Sequence, residues 1–372
     1  MKVLYVKYIH TIVLLWIVSV LTLNIGGCSP EDTSDYDLIN DFSNVRNQQL
    51  SERVIMDTLV PKDSIMLSEK YGMIHPRSEL KTDTEMLYIL DESYPHRLFS
   101  IGKDTFELAD TFSVTTGRGP GEVSSIQDYE VYKDFIIFND RDLSKVQIRN
   151  KDGDLVNEFI TEGYYPYRTS YWGDGTLAFL SHQSMYTGSI FYTMDQDGNL
   201  LNSFGNVLGE PFNPIRFGGS IFAEDEFLYY AGYSEHLLGK WDREGELHYM
   251  VTTIDDFPGE TNLITTEGAS PEQGMFGFVP GGFFSAVSAT VYKDYLILVH
   301  LGFWEEDYEQ FLDIYNKHNG QYMISLQMPY RIGHIDIDDE HIYALPSIDE
   351  ERYLFIYENT LEELLSEEPV TK

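Results

Sequence analysis

The sequence predicts an all-β fold, a six-bladed β-propeller with four-stranded antiparallel blades, and three observations point to it. Hydrophobic residues make up 42% of the 372 residues, and the chain has 27 Tyr and 22 Phe, residue types that strands prefer. Beyond about residue 50, short alternating runs are separated by turn residues, as in strands joined by tight turns. The runs recur with a period of about 45 residues, which is typical of propeller blades.

The repeat is clearest in four segments that share one order: an apolar strand, a polar loop, a second strand, a glycine turn and a third strand. These segments are 134–159, 175–204, 226–251 and 294–326. Their turn glycines, Gly153, Gly198, Gly245 and Gly320, follow Asp, Asp, Glu and Asn, which is typical of hairpin turns. A further strand precedes each segment, at 126–133, 167–174, 218–225 and 286–293.

Two weaker units, 85–112 and 332–359, bring the expected number of blades to six. The last unit lacks its third hairpin strand, and 52–59 is a strand without a unit. We therefore predict that 52–59 supplies the missing outer strand and closes the ring, which removes an exposed sheet edge. The propeller is expected over 51–362, followed by a C-terminal tail, 363–372. An insertion, 253–284, separates blades 4 and 5, and loops of this length are often functional.

The N-terminal segment, 1–27, predicts a secretory signal. Lys2 and Lys7 precede a largely apolar run, 11–23, that is shorter than the roughly 20 residues of a membrane-spanning helix. The segment "IGGC" follows and ends at Cys28, the single cysteine of the chain. It resembles the lipobox of bacterial lipoproteins, which implies cleavage after residue 27 and lipidation of Cys28. An ordinary signal peptide with a chance cysteine is the alternative.

Residues 28–50 are polar and acidic, and we expect them to form a flexible tether. The acidic run also resembles the export signal of surface lipoproteins in Bacteroidetes-type bacteria, although a plain linker would look similar. We therefore expect an exported lipoprotein anchored to the outer membrane through the lipid on Cys28, with display on the cell surface as a further expectation.

The charge of the chain bears on its partners. It has 61 acidic against 25 basic residues, a formal net charge of −36, so we exclude nucleic acid as a partner. Solubility at a cell surface is the simple explanation of this charge. The ten histidines form no HExxH pattern. His182, His236 and His300 fall near the ends of strand B in successive blades, and we expect scattered surface histidines in preference to convergence on a metal. No metal site or cofactor is therefore expected. A structural calcium ion near 334–341 stays open as an alternative.

The segment "TTGRGPGEV", 115–123, is the sharpest local motif. With strands named A to D from the channel to the rim, it joins strand D of blade 1 to strand A of blade 2. A phosphate-binding loop needs a strand that runs directly into a helix, so that interpretation is rejected. We expect a turn with an ion pair between Arg118 and Glu122 in preference to a ligand contact. The insertion is also a D-to-A connection, so both loops should share one face.

Arginines recur where the chain leads into strand A: Arg118, Arg168, Arg216 and Arg331. One hypothesis is an anion-accepting funnel at the channel mouth. The other, which we favour, is a set of latches that join each blade to a neighbour through Asp or Glu. Further ligand-binding candidates lie on B-to-C loops: His182, His236, Trp304 and Glu305. Trp304 could stack on a sugar ring beside Glu305, or pack between blades.

The "GRGPGE" element within a lipid-anchored, six-unit β repeat resembles the TolB-like and NHL-like six-bladed propeller lipoproteins of Bacteroidetes-type bacteria. The resemblance implies shape and location, and it assigns no chemistry. We expect a binding module that holds a protein, peptide or glycan on its insertion-bearing face. The alternative is a propeller-type hydrolase or lyase with a metal or carboxylate site at the channel mouth.

Overall fold

In a computed structural model of the protein, six antiparallel sheets follow one another along the chain. The structure describes residues 45–48, 52–181, 189–205, 218–233, 236–255, 263–265, 276–278, 283–284, 286–300, 302–303 and 309–366. The described chain begins with β1 (Val45–Arg46), β2 (Ile55–Thr58), β3 (Asp63–Met66) and a short helix, α1 (Leu67–Tyr71). Each sheet is one blade, so the predicted six-bladed propeller is confirmed.

Blades 1 to 4 each take their four strands consecutively from the chain. Blade 1 contains β4 (Pro76–Thr82), β5 (Met86–Asp91), β6 (His96–Gly102) and β7 (Leu108–Val114). Blade 2 contains β8 (Ile126–Tyr132), β9 (Phe135–Asp140), β10 (Lys145–Asn150) and β11 (Leu155–Ile160). Blade 3 contains β12 (Pro166–Tyr171), β13 (Leu177–Ser181), β14 (Phe191–Met194) and β15 (Leu200–Phe204). Blade 4 contains β16 (Gly219–Glu224), β17 (Phe227–Gly232), β18 (Leu237–Asp242) and β19 (Leu247–Thr252).

The second half of the ring is interrupted by the insertion, which includes β20 (Leu263–Thr265), β21 (Phe276–Phe278) and β22 (Phe283–Phe284). Blade 5 contains β23 (Ser288–Tyr292), β24 (Tyr295–His300), β26 (Gln310–Asn316) and β27 (Tyr322–Met328), with β25 (Gly302–Phe303) in its B-to-C loop. Blade 6 contains β28 (Ile332–Ile337), β29 (His341–Ile348) and β30 (Glu351–Glu358), and α2 (Leu361–Ser366) follows. In the insertion β20 pairs with β21, and β22 pairs with β25.

The ring is closed by β3, which pairs antiparallel with β30 as the outer strand of blade 6. An N-terminal strand was therefore predicted correctly, but its assignment to 52–59 is wrong. That segment contains β2, which pairs parallel with β27 as a fifth strand of blade 5. The closing strand has only four residues, two of them Asp and Ser, so it carries too little alternation to be recognised from sequence.

The hydrophobic core lies between neighbouring blades. Leu90 and Leu98 of blade 1 pack in one buried cluster with Tyr129 and Phe138 of blade 2. Because each blade covers the face of the next, the apolar residues of its middle strands pack against the neighbouring blades on both sides. Across the described residues, no helix combines the length and apolar character needed to cross a membrane.

The repeated turn glycines make a repeated contact between blades. Gly153, Gly198 and Gly245 have φ near +85°, and a Cβ on each would come within 2.6 Å of a phenylalanine ring or side chain on strand D of the preceding blade. The phenylalanines are Phe112, Phe159 and Phe204. Glycine is therefore required twice over, by the left-handed backbone and by the close approach.

Replacing Gly198 with alanine should destabilise the fold more than replacing Gly163. Both glycines have φ of 83–85°, but a Cβ on Gly163 meets nothing within 4 Å, whereas one on Gly198 would lie 2.6 Å from Phe159. We expect a loss of about 1–2 kcal/mol at Gly163 from the backbone alone, and about 1–3 kcal/mol more at Gly198 from overpacking. Urea denaturation measures both, and equal losses would contradict the inter-blade contact.

Candidate functional site

The loop "GRGPGE" connects β7 to β8, as predicted, and its glutamate folds back into the turn. The Glu122 carboxylate accepts a hydrogen bond from the Gly119 N–H at 2.8 Å. A Cβ on Gly117 would lie 2.0 Å from the same carboxylate, so a side chain there would displace Glu122 from this hydrogen bond. Arg118 is exposed and forms no ion pair with the part of the chain that the structure describes. The ion pair between Arg118 and Glu122 expected from the sequence is therefore absent, because Glu122 bonds to the backbone instead.

Side chains of blade 2 hold the rest of this loop. Lys145, Gln147 and Arg149 donate to its carbonyl oxygens at 2.7–3.0 Å, and Glu158 accepts from the Gly121 N–H at 2.9 Å. These backbone carbonyl and N–H groups of the glycine-rich loop are thus hydrogen-bonded to side chains of the protein. The loop is a fixed support that projects Arg118 from the face formed by the D-to-A connections and B-to-C loops, which we call the D–A face.

Charged residues line the channel at alternate positions of the innermost strands. They are Glu79 and Lys81 on β4, Asp128 and Glu130 on β8, Arg168 on β12, and His334 and Asp336 on β28. Residues two apart on a strand point to the same side, so each strand sends its charged pair into the channel. This alternation, for example "DYE" at 128–130, is the signal by which the sequence could have revealed them.

Arg168 joins three blades within the channel. Its Nη1 lies 3.0 Å from Asp128 Oδ1 on blade 2 and 3.6 Å from Glu79 Oε2 on blade 1, and Asp128 also accepts the Thr169 N–H at 2.8 Å. Burial opposes ionisation of Glu79, but the charges of Arg168, Lys81 and Arg77 together lower the pKa of this carboxyl below its usual range. This is the geometry of a latch, the hypothesis that we favoured for the arginines.

Glu130 is a channel residue whose charge changes with pH near neutrality. Its carboxylate lies 3.1 Å from Lys81 Nζ, and its side chain is 22% exposed. Burial raises the pKa of Glu130 to about 7; Lys81 opposes this shift, and Asp128 and Asp336 add to it. The Glu130 carboxyl is therefore partly protonated at neutral pH.

Glu130→Gln should flatten the pH dependence of stability. Because the folded-state pKa of Glu130 lies above the ordinary 4.5, its contribution is fully present below about pH 4.5 and is lost as the pH rises through 7. As the pH rises from about 4.5 through 7, the unfolding free energy of the wild type should therefore fall relative to that of the variant, by at most about 3 kcal/mol. Denaturation at several pH values measures it. Glu162→Gln, at an exposed acid after β11, is the control, and parallel profiles for all three proteins would contradict the assignment.

A second group of ionisable residues lies buried between blades 4 and 5. We call it the Asp255 cluster: Arg53, His236, Asp255, His300 and Asp313. Arg53 Nε lies 3.0 Å from Asp313 Oδ1, and its Nη2 contacts the Asp255 carboxylate. His300 Nδ1 lies 3.5 Å and His236 Nδ1 4.0 Å from Asp255 Oδ2.

Burial and charge fix the protonation of this cluster. Burial lowers the pKa of His236 to about 4, against the opposing charge of Asp255, so its imidazole is neutral at pH 7. Burial disfavours the Asp255 carboxylate, but His300, Arg53 and His236 outweigh it and lower its pKa to about 2. The expectation of scattered surface histidines is wrong for His236 and His300, which are 2% and 0% exposed.

Of the remaining sequence candidates, Arg331 is the one that lies within the described residues. Arg331 is exposed immediately before β28, on the D–A face. Arg216, His182, Trp304, Glu305 and Cys28 lie outside the described residues. Arg53, Asp255 and Asp313 could not be recognised as a group from the sequence, because they come from three distant segments and have no common spacing.

The D–A face also exposes large apolar side chains. Ile74, just before β4, is 65% exposed, Tyr94 in the B-to-C loop of blade 1 is 75% exposed, and Tyr330 before β28 is 40% exposed. Asp91 ties the first two positions together, because its carboxylate accepts the N–H groups of Ile74, His75 and Ser93 at 2.9–3.0 Å. In the described ranges, the other large exposed apolar residues belong to the N-terminal segment or to the outer strands of blades 1 to 3.

Solved structures of low sequence identity share this fold. A member of the DUF4221 family from Bacteroides vulgatus matches with a TM-score of 0.55 and 10% identity, over 83% of this chain and 99% of that one. A Bacteroides fragilis protein predicted to be exported matches with a TM-score of 0.53 and 12% identity, over 84% and 98%. The WD40 repeats of RRP9 match with a TM-score of 0.51 and 10% identity, over 81% and 99%.

No family model and no curated protein matches the chain. The likenesses concern the fold alone, and the TolB-like or NHL-like relationship and the lipid anchor stay predictions.

Proposed function

We propose that the protein is an exported binding module that holds a protein, peptide or glycan on its D–A face. The observation that carries this proposal is the composition of that face on blade 1, where the exposed Ile74 and Tyr94 lie on the same face as the exposed Arg118. Tyrosine and arginine beside an apolar residue are typical of interface hot spots. The loops that present them are held by Asp91 and by the blade 2 side chains, so little ordering is needed on binding.

The channel supports a binding module over a hydrolase or lyase. Its charges face one another in the pairs Arg168–Asp128 and Lys81–Glu130, at 3.0–3.1 Å. The cavity beside them is about 20 Å³, room for a single water molecule. A substrate that bound in the channel would have to separate these paired groups.

Membrane anchorage through Cys28 is part of the same proposal. It rests on the "IGGC" segment. Val45–Arg46, near the end of the segment expected to be a tether (28–50), form β1 and pair with β19 of blade 4. A tether ahead of β1 would leave the D–A face free to meet a partner. We expect Cys28→Ala to move the protein from the membrane fraction to the soluble fraction and to abolish palmitate labelling. Unchanged labelling of the variant would contradict lipidation at this residue.

Glycan and peptide arrays probed with residues 30–372 test the face. The Tyr94→Ala/Arg118→Glu variant should weaken every array hit by about 30-fold or more, because a hot-spot residue contributes about 2 kcal/mol. The matched control is Leu201→Glu, at a 54% exposed position on the outer strand of blade 3. Retention of the hits by the face variant, or equal loss by the control, would contradict the proposal.

A further inference from the structure

The Asp255 cluster combines metal-ligating side chains with a positively charged side chain from another part of the chain. Asp255, His300 and Asp313 each offer a ligand atom, and these atoms lie within 4.8 Å of one another. All three residues are buried, at 6%, 0% and 1% exposure. Arg53 lies against both carboxylates, so a cation already occupies the position between them.

We propose that Asp255, His300 and Asp313 form a divalent metal site of the Zn²⁺ or Mn²⁺ class, and that metal binding and docking of Arg53 exclude each other. The N-terminal segment that carries Arg53 would then be fastened to blade 5 in the absence of metal and released at this point when metal binds.

The donor set favours such metals. Zn²⁺ binds His nitrogen and carboxylate oxygen at about 2.0–2.2 Å, which places neighbouring tetrahedral ligands about 3.4 Å apart. Asp255 Oδ2 and His300 Nδ1 are already 3.5 Å apart. One imidazole with two carboxylates is a donor set of Zn²⁺ and Mn²⁺, whereas Ca²⁺ takes six to eight oxygen ligands.

Neighbouring side chains orient the ligands. Ser325 Oγ donates to Asp313 Oδ1 at 2.5 Å, and Thr253 Oγ1 donates to Asp255 Oδ2 at 3.2 Å. Each carboxylate therefore has a fixed partner that leaves its other lone pairs for a cation. Hydrogen bonds of this kind set the direction of metal ligands in proteins.

The Arg53 side chain can leave because its neighbours Val54 and Ile55 are held at the backbone, whereas the core contacts of the segment lie further along, at Met56 and Leu59. Val54 bonds through its N–H to Tyr322 Oη at 3.1 Å and through its carbonyl to the Ser325 N–H at 2.8 Å, and β2 pairs with β27 with a register shift. Val54 and Ile55 are 39% and 47% exposed. A dication between the two carboxylates replaces the single charge of Arg53 and repels it.

Zinc titration of Arg53→Gln tests the site, with Arg46→Gln as the matched control. Arg46 lies on the same segment and donates only to the Asn319 carbonyl, at 2.7 Å, in the described structure. We expect Arg53→Gln to bind one Zn²⁺ at least 100-fold more tightly than Arg46→Gln, and its melting temperature to rise with Zn²⁺. Adding Asp313→Asn should remove this binding. A folded Arg53→Gln protein with no more affinity than Arg46→Gln would overturn the site.

Hydrogen exchange of the wild-type protein is the second measurement, and it does not depend on the folding of a variant. Excess Zn²⁺ should speed exchange at the amides of Val54 and Leu59, which bond to blade 5, at least 10-fold. Exchange over β3, which belongs to blade 6, should stay the same. Unchanged exchange at Val54 and Leu59 in a protein saturated with Zn²⁺ would overturn the mutual exclusion.

Discussion

Arg53→Ala is expected to lower the free energy of unfolding by about 3–5 kcal/mol, the usual cost of removing one partner from a buried ion pair. The side chain of Arg53 is 16% exposed, and its removal leaves Asp255 and Asp313, at 4% and 1% side-chain exposure, without their shared cation. Two buried carboxylates would then repel each other in a poorly solvated space. Denaturant unfolding at pH 7 in the presence of a chelator measures the loss.

Two controls separate the charge effect from the loss of side-chain contacts. Arg46→Ala removes an exposed arginine from the same segment and should cost no more than about 0.5 kcal/mol. Asp313→Asn in the Arg53→Ala background should recover part of the loss, because one of the two unpaired charges is gone. If Arg53→Ala costs no more than Arg46→Ala, the cluster does not hold the segment to blade 5.

Arg168→Ala is expected to be similarly costly, about 3–5 kcal/mol, because Glu79 and Asp128 lose their common partner in the channel. The funnel hypothesis predicts the reverse, a variant of nearly full stability that fails to bind an anionic ligand. Thermal unfolding therefore distinguishes the two hypotheses directly. A drop in melting temperature of less than about 2 °C would favour the funnel.

The matched control for Arg168 is Arg118, the arginine of the "GRGPGE" loop. It is exposed and has no ion-pair partner in the described ranges, so Arg118→Ala should change stability by no more than about 0.5 kcal/mol. A double-mutant cycle of Arg168→Ala with Asp128→Asn measures their coupling, which should reach about 1–3 kcal/mol for a contact pair.

The predicted fold followed from features that are local in the sequence. Turn glycines such as Gly198 and strand alternation within each unit are set by a few neighbouring residues, and the repeat multiplies the signal. The closing strand Asp63–Met66 has no such local signal, because it is short and half polar. Its pairing is also distant in sequence, since Asp63 pairs with Ile356, about 290 residues away. The number of blades could therefore be predicted, whereas the segment that completes the sixth could not.

The candidate sites likewise differ in whether their residues are close together in the sequence. Asp128 and Glu130 alternate on one strand and could have been found from the pattern. Arg53, Asp255 and Asp313 meet only because β2 lies along blade 5 and the insertion begins beside it, which no spacing in the sequence reveals. The "GRGPGE" loop was placed correctly, but which backbone group Glu122 would bond depended on the path of the turn.

The pairing of β3 with β30 also determines when the molecule can be completed during synthesis. The strand Asp63–Met66 leaves the ribosome long before its partner strand Glu351–Glu358 is made. Until β30 is made, β3 has an unpaired edge, and unpaired strand edges promote aggregation. A chain that terminates before blade 6 cannot close the ring, so only chains that include β30 reach the closed state, and shorter ones stay recognisable to proteases.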